Sequence, residues 1–215
     1  MPSPTIRTAR RGRPRKDEEA QLQDAFLDHC LSQFLVKGYR STTMDDLARG
    51  FGASKSTLYA HYGSKAGLVL AAMERAVPMS LGQLSAVNSD LKRLPRSVLH
   101  DFGTLLQGNA NDQSVRALWS AVIQARADSD RIEPAIAEGL KRTLAPLITY
   151  FDRAGKAGIL HVSDPDRAAL AFAELVSGGL NAFMHSPVAA AERATDLEFA
   201  LDLFMQGVMP RQPAI

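Results

Sequence analysis

The chain has 215 residues, 46% of them apolar and 22% charged, with a net charge of +2 at neutral pH, and a chain of this length buries roughly 70% of its unfolded surface in one domain or two small ones. This ordinary composition excludes wholesale disorder, and a single cysteine excludes an internal disulfide and a cysteine-rich zinc site. No apolar leader stands near the start, and no run reaches the roughly 18 uninterrupted apolar residues of a membrane span, so a cytoplasmic protein with no membrane partner is expected.

The charge is unevenly placed. Residues 1–75 hold 12 Lys/Arg against 8 Asp/Glu, whereas residues 76–215 hold 13 against 15, which fits an N-terminal part that meets a polyanion and a remainder that does not. Residues 1–16, MPSPTIRTARRGRPRK, have six basic residues, no acidic one and too little apolar surface to pack; they read as a disordered basic arm. Within the arm, Arg11-Gly12-Arg13-Pro14 resembles the core of an AT-hook. That likeness implies contact of Arg11 and Arg13 with phosphates or with a narrow A·T-rich minor groove.

Asp17, Glu18 and Glu19 open a helix expected to run to about Lys37, with Leu22, Ala25, Phe26, Cys30, Phe34 and Leu35 inward and Gly38 as its stop. His29 has no second ligand at i+4, so no metal site is expected.

The next stretch, TTMDDLARGFGASKSTLYAHYGSK over 42–65, reads as two short helices with a tight turn between them. Thr43 caps the first, and Asp45 and Asp46 fall in its first turn, where the helix dipole favours negative charge. Met44, Leu47, Ala48 and Phe51 recur at i, i+3, i+4 and i+7 as a buried stripe, and Gly52 permits the turn. Ser54 caps the second helix, Leu58 points inward, and the rest of its surface is hydroxyl, cationic, small or aromatic. Periodicity alone fits two structures equally: a hairpin with a solvated polar face, or a helix-turn-helix that enters a duplex groove.

The residues themselves resemble the N-terminal DNA-binding region of the tetracycline-repressor (TetR) family, whose pattern runs roughly T-x-x-x-I-A-x-x-x-G-V-S-x-x-T-L-Y-x-H-F-x-S-K-x-x-L. Thr43, Leu47, Ala48, Gly52, Ala53, Ser54, Thr57, Leu58, Tyr59, His61, Tyr62, Ser64, Lys65 and Leu68 stand against it without a gap. Leu47 replaces the usual Ile, Ala53 the usual Val and Tyr62 the more frequent Phe, while small Ala60 stands where many members carry a bulky polar side chain. The resemblance implies that Thr43, Tyr59, Tyr62 and Lys65 hold phosphates. It places Ser54, Lys55, Ser56, Ala60 and His61 toward base edges, with Lys55 suited to guanine N7 and O6.

Ser64 is expected to cap a fourth helix through Leu68, Val69, Ala72, Met73 and Ala76, broken or kinked at Pro78; residues 79–94 fit weak helix or loop. Further helices are expected at about Pro95–Gln107, Gln113–Ala127 and Pro134–Ala157. No strand pattern of any length appears, so the class is all-α.

Asp164-Pro165 opens a helix that is apolar nearly all round to about 185, and a helix apolar on all faces is buried on all faces. A last helix at about Asp196–Val208, with Leu197, Ala200, Leu201, Phe204 and Val208 on one side, is expected to complete a four-helix seam between two copies. In the TetR family the last two long helices form the dimer interface.

The reading is therefore about nine helices: an arm over 1–16, a helix-turn-helix domain over 17–77, and a regulatory and dimerisation domain over 78–215. Phe102, Leu106, Trp119, Ile123, Phe151, Phe172 and Leu175 are expected to line a pocket for an unidentified small-molecule effector, with Glu174 and Gln124 available to orient a polar group. His29, His61, His100, His161 and His185 have no catalytic or metal-binding partners at useful spacing, so no enzyme and no cofactor are expected. The expected partners are double-stranded DNA and a second copy of the chain, in a ligand-released repressor of a near-palindromic operator. An activator of the same fold and an architectural minor-groove protein are the alternatives.

Overall fold

The computed structural model describes residues 16–178 and 189–210, and among them nine α-helices and no strand. They are α1 (Lys16–Lys37), α2 (Met44–Phe51), α3 (Lys55–Tyr62), α4 (Lys65–Ser85), α5 (Pro95–Asn111), α6 (Gln113–Ala125), α7 (Ile132–Lys156), α8 (Pro165–Ser177) and α9 (Ala190–Val208). The basic arm up to residue 15, with Arg11 and Arg13, lies outside the described residues, as does the end of the expected apolar helix beyond 178; Lys16, expected as the last residue of the arm, is the first of α1.

Two cores organise these helices. The first joins α1–α4 to α6 and the start of α7, through Phe26, Leu31, Leu47, Leu58, Leu68, Ala121 and Ile132. The second holds Leu84 at the end of α4 with α5, the later part of α7, α8 and α9, around Phe102, Phe151, Phe172 and Leu201. α4 belongs to both cores and packs most extensively on α7.

Several elements depart from expectation. Pro78 lies inside α4, which continues to Ser85. The proline is exposed, whereas Val77 and Leu84 are 8% and 0% exposed; the lost backbone bond thus falls on the solvent side, and buried contacts on either side hold the helix. On α1 the buried stripe is Phe26, Leu27, Cys30, Leu31 and Phe34, while Leu22 and Leu35 face solvent. α8 ends where Gly178 adopts a left-handed conformation at φ 77°. On α9, Leu197, Ala200 and Leu201 are buried in the chain's own core, and Phe199 and Leu203 are exposed instead. The side expected to meet a second copy is therefore already filled, and the opposite side carries the open apolar groups.

Candidate nucleic-acid interface and internal cavity

The helix pair is built by local chemistry. The Thr43 hydroxyl accepts from the Asp46 N–H at 3.1 Å, and the Asp46 carboxylate accepts from the Thr43 N–H at 3.1 Å and from its hydroxyl at 2.6 Å, a complete capping box. The hydroxyl bond, followed by the backbone bond, holds the Asp46 carboxyl below its ordinary range. Gly52, at φ 74°, closes α2 and returns the chain, and Ser54 caps α3 by accepting from Thr57 N at 3.1 Å. The one buried residue of α3 is Leu58, so nearly the whole helix surface is free to meet another molecule.

Thr43, Ser54, Lys55, Ser56, Tyr59, Ala60 and His61 are all exposed and come together on this pair. Lys55 Nζ lies 3.0 and 2.7 Å from the two oxygens of Asp45 on α2, which raises its pKa first through the hydrogen bond. A base contact by Lys55 therefore begins with exchange of a carboxylate for the ligand. Asp45 was not singled out by the sequence, although its place in the first turn of α2, ten residues before Lys55, was visible.

Tyr62 and Lys65 face the other way. The Tyr62 ring stacks on Phe26 at 5.6 Å, and burial raises its phenol. Lys65 Nζ donates to the carbonyls of Tyr39 at 2.7 Å and Thr42 at 2.9 Å and lies 4.2 Å from the Tyr39 ring centroid; burial depresses its pKa. Tyr62 thus packs the end of α3 on α1, and Lys65 ties the turn before α2 to the start of α4. Tyr39, 1% exposed, donates from its hydroxyl to Asp128 Oδ2 at 2.8 Å and so ties this turn to the α6–α7 connection. The sequence reading missed that link, because no periodicity relates residues 89 positions apart.

A cavity of about 170 Å³ lies between α4, α5, α6, α7 and α8. Met73, Val77 and Ser80 of α4 line it with Leu106, Asn109, Leu118, Trp119, Val122, Ile136, Thr143, Leu144, Leu170 and Glu174. Of the expected lining, Leu106 and Trp119 reach it, and so does Glu174. Phe102, Phe151 and Phe172 do not, because all three are fully buried in the second core. Half-buried Ile123 lies outside the lining, and Leu175 opens on a shallow groove between α8 and α9. Gln124 bonds back to Ser120 O at 3.1 Å. Among the described residues no group of three or more His, Cys, Asp or Glu is placed to hold a metal ion, and no helix is long and apolar enough to cross a membrane.

A capped α2, a glycine turn and an exposed α3, rooted in a helical domain with an internal cavity, define a helix-turn-helix transcriptional regulator. The family model for bacterial regulatory proteins of the tetR family matches residues 26–72, and that for the C-terminal domain of AefR-like transcriptional repressors matches residues 97–207. The chain belongs to the TetR family of DNA-binding transcriptional regulators, which are not enzymes. It is 36% identical over 80 residues to the uncharacterised HTH-type transcriptional regulator YerO of Bacillus subtilis (strain 168), a match that spans 37% of this chain and 28% of YerO. A TetR-family regulator from Mesorhizobium loti MAFF303099 superposes with a TM-score of 0.74 at 20% identity, over 89% of this chain and 98% of that one. A SmeT–triclosan complex does so with 0.63 at 20% identity, over 91% and 95%. At these identities the two structures show the fold.

Proposed function

We propose that the protein is a homodimeric repressor that holds a near-palindromic operator with its two α3 helices and leaves it when a small molecule enters the cavity. One observation carries this reading: only two residues separate the end of α3 from the start of α4, whose middle, through Met73, Val77 and Ser80, forms part of the cavity wall. A ligand that displaces this wall displaces the root of α3, and a rigid helix carries the shift to the groove. The C-terminal match to a repressor domain supports repression over activation, and SmeT, of the same fold, is a complex with triclosan.

In this reading Ser54, Lys55, Ser56, Ala60 and His61 face base edges, and Thr43 and Tyr59 hold phosphates. Tyr62 and Lys65 act by setting the angle of the reading pair. Arg11 and Arg13 add backbone or minor-groove contact. The working division is a DNA-binding part over 17–77 and a regulatory part over 78–215, in a cytoplasmic protein. Half-sites about one turn, roughly 34–36 Å, apart or somewhat wider suit two such helices.

The test is selection of random duplexes by the purified protein at about 150 mM salt, with sequencing of what is retained. An inverted repeat is expected, and Lys55→Ala should relax one position in each half-site by about tenfold in discrimination. Enrichment for A·T content alone would replace this reading with the architectural one.

A further inference from the structure

The lining of the cavity sorts ligands by charge. Its inner end is apolar and buried: Leu118, Val122 and Leu144 are 6%, 1% and 3% exposed. Its mouth is at α8, where Leu170 is 40% exposed and Glu174 is exposed beside it. Glu174 is the one ionisable side chain among the described lining residues. It makes no hydrogen bond or ion pair with any described residue. No Lys, Arg or His lines the cavity among the described residues.

An anion entering this cavity would lose water beside a carboxylate and find no permanent positive charge, whereas a cation would gain a partner at the mouth. We propose that the effector site takes a compact lipophilic amine, with its ring system against the apolar inner wall and Trp119 and its ammonium on Glu174. The volume sets the ring count: a dry apolar cavity of roughly 150 Å³ admits benzene, so about 170 Å³ with an open mouth suits one or two fused rings. The side chains of Ser80, Asn109 and Thr143 have no hydrogen bond to a described residue and are available for a second polar group. This assignment rests on the reading of the cavity as the effector site and names the chemistry that the site selects.

The test uses three probes of one shape: naphthylmethylamine, naphthylmethanol and naphthoate. Binding is read at neutral pH by thermal shift and by release of the selected operator duplex, on the wild type, Glu174→Gln and a cavity-filling Leu106→Trp. The amine should bind about tenfold or more tighter than the alcohol, and naphthoate should fail up to about 1 mM. Glu174→Gln should erase the preference for the amine and leave the alcohol's affinity unchanged, which also shows that the variant is folded. Leu106→Trp should weaken both.

Equal binding of amine and alcohol, tighter binding of naphthoate, a preference for the amine that survives Glu174→Gln, or no binding by the amine would each overturn the assignment. The outcome for the cavity itself is separate. Release of operator by the alcohol or by naphthoate, lost in Leu106→Trp, would keep the cavity as the effector site while its charge assignment falls.

Discussion

Cys30 shows how one buried side chain couples the first core to pH. It is 1% exposed, and burial pushes its thiol up to about 12. In the unfolded chain a thiol ionises near about 8.5. The folded state therefore holds its proton longer, so the contribution of Cys30 to stability is intact below about pH 8.5 and is lost as pH rises toward about 12. Tyr39, Tyr62 and Tyr150 are displaced in the same direction, each first by burial, and extend the loss to more alkaline solution. The melting temperature should stay level to about pH 8.5 and then fall, with a shallower first part of the fall in Cys30→Ala. A flat profile through this range would remove the argument. The core position of Cys30 was legible because its flanking apolar residues mark the inner face of α1. The inward turn of Lys65 was not: the same lysine fits a phosphate or a pair of carbonyls, and the carbonyls come from Tyr39 and Thr42, 26 and 23 residues away.

At the scale of elements, α2 and α3 were readable almost to the residue because caps, turn glycine and apolar stripe lie within one short stretch. The course of α4 through Pro78 was not, since the competing effect is packing on α7, remote in sequence. The cavity was half legible for a related reason. A 3.6-residue repeat shows which face of a helix is apolar and says nothing of whether that face meets a core or a void, as Phe102 and Leu106, one turn apart on α5, demonstrate. The same limit hid the Tyr39–Asp128 hydrogen bond, which joins the turn before α2 to the connection between α6 and α7. α6 supplies Leu118, Trp119 and Val122 to the cavity, so under the proposed mechanism this bond would add a second link beside α4 between cavity and reading pair. Tyr39→Phe keeps the ring beneath Lys65 and removes only the hydroxyl. Hydrogen exchange over residues 38–43 should quicken about five- to tenfold, the equivalent of one modest hydrogen bond, with α9 unaffected. Unchanged exchange there would mean that the bond does not hold the turn.

For the molecule as a whole, the decisive question is what covers the outer side of α8 and α9. Leu175 on α8 is 39% exposed, and Phe199 and Leu203 on α9 are 70% and 50% exposed. Phe199 and Leu203 lie one turn apart, so they share a side of α9, opposite the buried Ala200 and Leu201. Three large apolar groups on two neighbouring helices are more than scattered surface residues, and a second copy applied about a two-fold axis would cover them together. Stable dimers bury on the order of 800 Å² per partner, an area two helices of this length can supply. Leu203→Glu should then give a monomer by sedimentation equilibrium at micromolar concentration and lose palindrome binding, because symmetry places the new charge in the interface twice. Its melting temperature in the monomeric state should change little, since Leu203 is half exposed in the subunit. Leu201→Glu is the contrast: at 0% exposure it buries a charge in the chain's own second core and should unfold the helices around it. A Leu203→Glu protein that remains dimeric and still selects an inverted repeat would place the interface on another surface. The spacing of the half-sites would then have to be derived from that surface, because the separation of the two α3 helices is set by where the axis runs.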